Sequence, residues 1–445
     1  MFRALLACLS VAAVAASGAG GFAVSDGRSP HPDTPAPAPQ LTQLLGFANG
    51  ALARVDPQSL RPLAGRRILV GSGGCAPREG GTACWTNPPW TVSPNGSRLA
   101  VVGQNYSASL RLVDVARMRV TANVRVDGGA IGALAWLAPG RLVAVQEIAG
   151  ERQRLLAVDL VKRRVVTRQA LGGSVQRLAR TGQELVMLLA PARTIGVARL
   201  AVADHRGAVR FVRLERIAAG SKLLGTGSDH RVDSQRPGLA LDPEGHRAFV
   251  VAENLAAEID LKTLAVSYHT LQPKASFLSR LWNWLEPAAA AKQVSGYFRE
   301  ATWLGSDLIA VSGTDTEQGQ VRAAGLLVLD TRGWSVRMID DSATSFEAVG
   351  DVLLAFGGSW DPSTERTTGI GLLAYGFDGS QRFQLFEGQQ VWLALVYGGR
   401  TYVGISGQGT EPLRIVDLAS GQVVGTRQPT LPWLLLGAGS GWWGG

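Results

Sequence analysis

The densest patch of reactive side chains is the hexapeptide Ser228-Asp229-His230-Arg231-Val232-Asp233, in which an imidazole stands between two carboxylates. Acid–His–acid spacing can tune a general base or supply ligands to a metal ion. No second histidine stands at ligand spacing. Of the five histidines, His31 falls in a Pro/Ala-rich stretch, His205 and His246 in turn sequences and His269 in a strand pattern. A multi-histidine metal centre is therefore not expected, and no metal ligands are assigned. Other polar residues gather in comparable segments: Asn105 and Tyr106 in GQNYSAS, Glu147 in QEIAGERQ, Asp315 and Glu317 in GTDTEQGQ, and Trp360 and Asp361 in GGSWDPSTER. Carboxylates converging from several such segments could bind a cation or carry out general acid–base chemistry. Taken singly, each reads as a solvated loop residue. The sequence contains no phosphate loop, dinucleotide fingerprint, nucleophile elbow in a strand–helix context or HExxH. No catalytic residue is assigned, and no cofactor is expected beyond a cation over a central mouth.

Cys75 and Cys84 lie close together in a Gly/Pro-rich segment, and Cys8 falls in the first apolar stretch. In an exported protein such a pair reads as one disulfide, with a metal pair as the alternative. Export is expected from the N-terminus: Arg3 precedes an uncharged Ala/Leu/Val run that ends in small residues, the outline of a signal peptide over 1–23. An uncleaved membrane anchor is the alternative, because Ala4 to Val24 approaches spanning length. Residues 24–43, with RSPHPDTPAPAPQ, read as a stiff Pro/Ala-rich linker.

Beyond the linker, apolar residues make up 46% of the 445-residue chain and charged residues 18%, enough to build a large core. The net charge of +9 raises nucleic acid or an anionic surface as partners. The basic residues, however, come in ones to threes with no aromatic interleaving, so no nucleic-acid partner is expected. Arg117, Arg119, Lys162, Arg163 and Arg164 are placed at the start of outer strands, where charge discourages edge-to-edge association.

These residues need elements to hold them, and the sequence supplies a repeat. TVSPNGSRLAVV (91–102) returns as LALDPEGHRAFVV (239–251): strand, tight turn, strand. Third strands then end in an acid at Asp56, Asp114, Asp159, Asp204, Asp260, Asp330 and Asp417, with Asp378 one residue off register. Each Asp can accept amide hydrogen bonds from the turn that follows it. Four antiparallel strands (A to D) repeating at this interval predict an all-β protein. The architecture is a single β-propeller over 44–445, with eight blades by repeat count and seven as the alternative. The tail strand WLLL is expected to pair with the N-terminal strands and so close the ring. One segment, 273–293, breaks the pattern: Phe277, Leu281, Trp282 and Leu285 fall on one helical stripe, read as packed core, a lid, a partner-docking helix or an interfacial membrane helix.

TVSPNGSRLAVV and LALDPEGHRAFVV resemble the strand–turn–strand motif of TolB-type propeller repeats, and GALARVDPQSLRPLAGRRILVG resembles the YVTN-type repeat of bacterial extracytoplasmic propellers. The resemblance spans roughly residues 44 to 436 and implies a WD-repeat-like propeller without the Trp-Asp signature. The related families include partner-binding proteins, surface proteins and lactonase-type enzymes. The sequence leads to an exported, monomeric, non-enzymatic propeller that binds a protein partner or envelope ligand through its long-loop face. The alternatives are a hydrolase- or lyase-type enzyme with a cation-assisted site in the central mouth, and a passive surface spacer.

Overall fold

The structure is a computed structural model. It describes residues 43–441 apart from 49–50, 70–73, 79–80, 86–88, 106, 149–151, 183, 225–230, 272–295, 318–319, 362–365, 406–411, 428–433 and 437–439. The signal segment, all of the linker but its last residue, and the 273–293 segment with Phe277, Leu281, Trp282 and Leu285 lie outside the described residues.

No helix occurs among the described residues; the strands pair in chain order into antiparallel meanders. Ala130–Ala138, Arg141–Ile148, Arg152–Asp159 and Arg164–Ala170 form one four-stranded blade. The order recurs in Gly238–Leu241, Arg247–Val251, Leu255–Asp260 and Val266–Thr270. It recurs again in Ser345–Val349, Val352–Phe356, Leu372–Gly376 and Gln381–Leu385, and in Val391–Tyr397, Arg400–Ile405, Leu413–Asp417 and Val423–Arg427. Trp90–Val92, Arg98–Asn105, Ser107–Asp114 and Arg119–Val126 gain a fifth strand, Ser440–Gly441. The first meander, Leu45–Ala48, Ala51–Arg54 and Ile68–Leu69, takes its inner strand, Leu434–Leu436, from the far end of the chain, with Leu45 opposite Leu436. The protein is a β-propeller, and its two chain ends share a blade, which removes the open edge a linear array would leave.

The repeat count is corrected in one respect. Six sheets of four or five strands stand separate, rather than eight or seven. Apart from two two-stranded ribbons, the remaining strands belong to a ten-stranded sheet. Within it lie two meanders, Ser174–Thr181 to Val209–Leu224 and Gly296–Gly305 to Ser335–Asp340. Arg231–Arg236 joins them: it pairs antiparallel with the end of Val209–Leu224 and parallel with Gly296–Gly305, Gln235 opposite Tyr297. Backbone groups that would otherwise need water are thereby paired across two repeats.

The core consists of apolar clusters, each bridging successive meanders; Leu112, Val124 and Ile131 with Leu156 make one, Leu353 and Phe346 with Val328 another. The Asp residues that end the third strands do what their position predicts. Ser59 N donates to Asp56 at 2.6 Å, Arg117 N to Asp114 at 2.9 Å, Lys162 N to Asp159 at 2.8 Å and Arg206 N to Asp204 at 2.8 Å. Thr263 N, Arg332 N, Ser380 N and Ser420 N do the same for Asp260, Asp330, Asp378 and Asp417. These bonds, with hydroxyl bonds at Asp56, Asp260, Asp378 and Asp417, hold six of the carboxyls (Asp56, Asp114, Asp159, Asp260, Asp378, Asp417) below their ordinary pKa. Four residues past the Asp, the chain turns left-handed in six of these hairpins. Gly421 occupies one such position, but Leu60, Met118, Arg163, Leu264 and Trp334 occupy the others with φ between +46° and +61°. The fold imposes this conformation on residues that disfavour it.

Candidate functional site: the inner-strand ring and the long-loop face

The first strand of each meander lines the propeller axis. Cross-strand register shows which way its residues point, because directly opposed residues share a face. Arg177 opposes Leu188, Gly238 opposes Val251 and Glu347 opposes Leu354. Leu188, Val251 and Leu354 each pack in the cluster shared with the next meander. Glu300 lies two residues before Thr302, whose partner Ala310 packs the same way. Gly132 and Trp392 are extra residues at β-bulges, between Ile131 and Ala133 and between Val391 and Leu393. Gln176 is the extra residue beside Arg177. Bulges re-aim side chains, and these three recur at the same level of three inner strands. Arg177, Gly238 and Glu300 thus hold equivalent positions on three successive inner strands, while Glu347 lies two residues nearer its hairpin turn and Gly132 and Trp392 are bulge residues just beyond that level.

The ring is chemically lopsided. Arg177 reaches past the Gly238 strand to the next meander, donating from Nη2 to the Arg299 carbonyl at 3.0 Å and lying 4.5 Å over the Phe298 ring. Burial pushes its guanidinium down to about 10, against the pull of Glu300. Burial likewise pushes the Glu300 carboxyl up, and Arg177 draws it back. Glu347 is exposed to solvent yet ringed closely by protein; this desolvation, with Glu300's charge, pushes its carboxyl up to about 7. It has no hydrogen bond or ion pair among the described residues. Trp392 is 42% exposed. Its indole lies on Gly404, where a Cβ would come within 2.7 Å of Cε2.

A second group sits beside the ring. Arg299, buried, donates from Nη2 to Asp315 Oδ1 at 2.6 Å and from Nη1 to the Thr314 carbonyl at 2.9 Å. Glu253 is pushed up by burial and by Asp315's charge, with Arg299 opposing. Tyr297 donates its hydroxyl to the Ala218 carbonyl at 3.1 Å. Asp315, read from sequence as a free loop carboxylate, is thus held by a buried arginine.

The B–C and D-to-next-A connections share one face of the ring. Four of the segments there that read as loops contain β-ribbons instead. Gly74–Arg78 pairs with Gly81–Trp85, the end of Val209–Leu224 with Arg231–Arg236, Leu308–Glu317 with Gln320–Ala323, and Gly358–Asp361 with Arg366–Gly369. Those of the sequence-assigned residues that are described fall on strand ends and ribbons of this face. Asn105 ends the Arg98–Asn105 strand and Glu147 lies near the end of Arg141–Ile148, its Oε1 3.5 Å from where a Cβ on Gly132 would stand. Asp233 lies in Arg231–Arg236, Glu317 beside Asp315 in Leu308–Glu317, and Trp360 and Asp361 in Gly358–Asp361. Tyr106, Asp229 and His230 lie outside the described residues. Cys75 stands opposite Cys84 in its hairpin, a register whose Cα separation falls within disulfide range. The structure does not show the bond itself.

Sequence reasoning missed Arg177, Glu300, Glu347 and Trp392, because nothing local marks these inner-strand residues. Among the described residues, no group of three or more His, Cys, Asp or Glu could hold a metal ion, and no helix is long and apolar enough to cross a membrane.

No protein-family model matches the chain, and no curated protein matches it. Among solved structures it is similar to the dihydro-heme d1 dehydrogenase NirN: TM-score 0.54 at 11% identity, covering 89% of this chain and 75% of that one. It also matches Sqt1 of Saccharomyces cerevisiae with TM-score 0.48 at 9% identity, over 78% of this chain and 91% of that one. For the computationally designed Ika8 protein the TM-score is 0.46 at 9% identity, over 86% and 96%. At these identities the likeness to NirN shows the fold alone.

Proposed function

We propose that this chain is an exported, non-enzymatic β-propeller that acts as a monomer and binds a partner protein through the ribbons of its long-loop face. One observation carries the reading. Leu223 and Val232, 40% and 53% exposed, stand directly opposite each other on the ribbon that joins two meanders. Val321, 40% exposed, stands on a second ribbon of the same face. Apolar side chains presented on hydrogen-bonded ribbons cost little ordering entropy on binding, which suits recognition of a protein surface. An exported setting also accounts for Cys75 opposite Cys84; a non-reduced mass two hydrogens below the thiol form would support the bond, and two free thiols would remove this argument.

The test is photo-crosslinking in the source cells, with a benzophenone residue at Leu223 or Val321. The control is Val161, 82% exposed in a turn on the opposite face. A discrete adduct from the ribbon positions and none from Val161 is expected. Equal labelling from both faces, or none from the ribbons, refutes the reading.

A further inference from the structure

We propose that the tight-turn rim of three successive meanders, around Asp114, Asp159 and Asp204, is a docking surface for an anionic lipid bilayer. It lies on the opposite face from the ribbons and does not depend on the reading given for them. The positive charge of this protein is gathered in one sector. Residues 98–222 hold 21 Lys and Arg against 8 Asp and Glu, a net of +13, whereas the whole chain carries +9, so the remainder is net acidic. Arg119, Lys162, Arg163, Arg164, Arg168 and Arg206 are exposed and make no ion pair among the described residues. The fold brings them together. The outer strands Arg119–Val126 and Arg164–Ala170 pack beside each other. Thr167 Oγ1 donates to the Arg206 carbonyl at 3.0 Å, which lays the next meander's turn against the second of these strands. The acids of the same turns are engaged: Asp114 with Arg117 at 2.9 Å, Asp159 with Arg141 at 2.9 Å, and Asp204 with the amides of Arg206 and Ala208.

Edge protection does not account for this placing. Every meander has an outer strand to protect, yet Val266–Thr270 carries no Lys or Arg, and Val423–Arg427 leaves Val423 and Val424 exposed. Arg163 supplies an independent argument. Of the five non-glycine residues at the left-handed turn position, Leu60 and Met118 are buried and Leu264 and Trp334 pack against core clusters. Arg163, at φ +53°, is exposed, so packing does not explain its side chain. A disfavoured conformation kept at an exposed residue points to use of that side chain. Val161, 82% exposed, stands next to Lys162 in the same turn. Clustered cations attract an anionic headgroup layer, and an aliphatic side chain among them enters its acyl boundary. A single-stranded nucleic acid would call for stacking aromatics, and residues 107–126 and 152–170 contain none.

The experiment is sedimentation of the purified full chain with vesicles of phosphatidylcholine alone or mixed with phosphatidylglycerol, at low and high sodium chloride. Binding through the apolar stretch Ala4 to Val24 contributes equally to both vesicle types, so their ratio reads the rim. A preference for the mixed vesicles of about tenfold or more, lost at high salt, is expected. Each surface cation contributes roughly fivefold, so Lys162→Gln, Arg163→Gln and Arg164→Gln together should remove most of that preference. Arg163→Gly alone should lower it while the melting temperature holds or rises, which separates lost binding from lost folding. A control triple, Lys262→Gln with Arg332→Gln and Arg382→Gln, removes the same charge from other meanders and should leave the preference intact. Equal partition onto both vesicle types, a control triple as weakened as the rim triple, or a DNA oligonucleotide bound more tightly than the mixed vesicles would each overturn the proposal. A bilayer on this face gives no protein adduct at Val161 and leaves Leu223 untouched, so partitioning and crosslinking fail separately.

Discussion

Replacing Tyr402 by alanine should loosen the ring where its ends meet. Tyr402 is 0% exposed and sits in a cluster with Leu44, Val55 and Leu60 of the first meander and Leu413 and Ile415 of the last. Its hydroxyl donates to the Pro57 carbonyl at 2.9 Å, and Arg427 Nε donates to the neighbouring Gln58 carbonyl at 3.1 Å. Truncating a buried aromatic costs about 3–5 kcal/mol, transfer and cavity together. Tyr402→Phe keeps the ring and loses one hydrogen bond, about 1 kcal/mol. Unfolding entropy near 2.1 cal/mol/K per residue gives a 445-residue chain roughly 0.9 kcal/mol per degree. Alanine should therefore lower Tm by about 3–6 °C and phenylalanine by about 1 °C, both measured by calorimetry on the purified full chain. An alanine variant melting within 1 °C of the parent, or a phenylalanine variant as damaged as the alanine one, would show that this contact does not hold the ring closed.

Four further outcomes follow from the hairpin turns and the inner strands. Six turn aspartates have folded pKa values below the ordinary 3.8. Below that value the unfolded chain takes up protons first, so stability present above about pH 4 should fall as pH drops further, seen as a steep acid limb in urea midpoints. Glu347 works with the opposite sign: its folded carboxyl is raised to about 7, so its contribution declines as pH rises from about 4.5 to 7, and Glu347→Gln should flatten that stretch without moving the acid limb. Arg163, exposed and left-handed at φ +53°, should gain up to about 1 kcal/mol on replacement by glycine. Gly421→Ala should lose stability, because a Cβ there also meets Phe383 at 2.5 Å; a lowered urea midpoint for Arg163→Gly would refute the strain argument.

The parts of this fold that were legible in the sequence are those that local chemistry enforces. An Asp closing a third strand is the residue best able to tie down the next turn's amides, so Asp56 through Asp417 could be aligned by eye and their hairpins located. Closure was legible for a related reason: a tail strand without partners matches a first unit lacking its inner strand, and Leu45 does pair with Leu436. The left-handed turn residues were hidden, because five of the six are not glycine and tertiary packing imposes the conformation. The ribbons were hidden by their polar, turn-rich sequences, which read as loops until Gly220–Leu224 found Arg231–Gln235 across the strand pair. The separate-sheet count was hidden for the same reason, since Arg231–Arg236 bonds to two meanders at once.

The ring itself could not be found from spacing. Arg177 and Glu300 stand at one level yet at different distances from their hairpin turns, because a bulge at Leu304 inserts a residue between Glu300 and its turn and the Arg177 strand has none there. A bulge costs little on inner strands such as Ala130–Ala138, Ser174–Thr181 and Val391–Tyr397, whose second hydrogen-bonding edge pairs with no other described strand, and it turns one side chain out of the blade interface. The repeat thus supplies the same scaffold around the axis, and local departures from it decide which residues face inward. Chemistry then divides among the inner strands: Arg177, reaching across one blade, offsets the charge of Glu300, whereas Glu347 has no hydrogen bond or ion pair among the described residues. That division makes Glu347 the inner-strand acid whose replacement should change the pH dependence of stability without touching the blades' core.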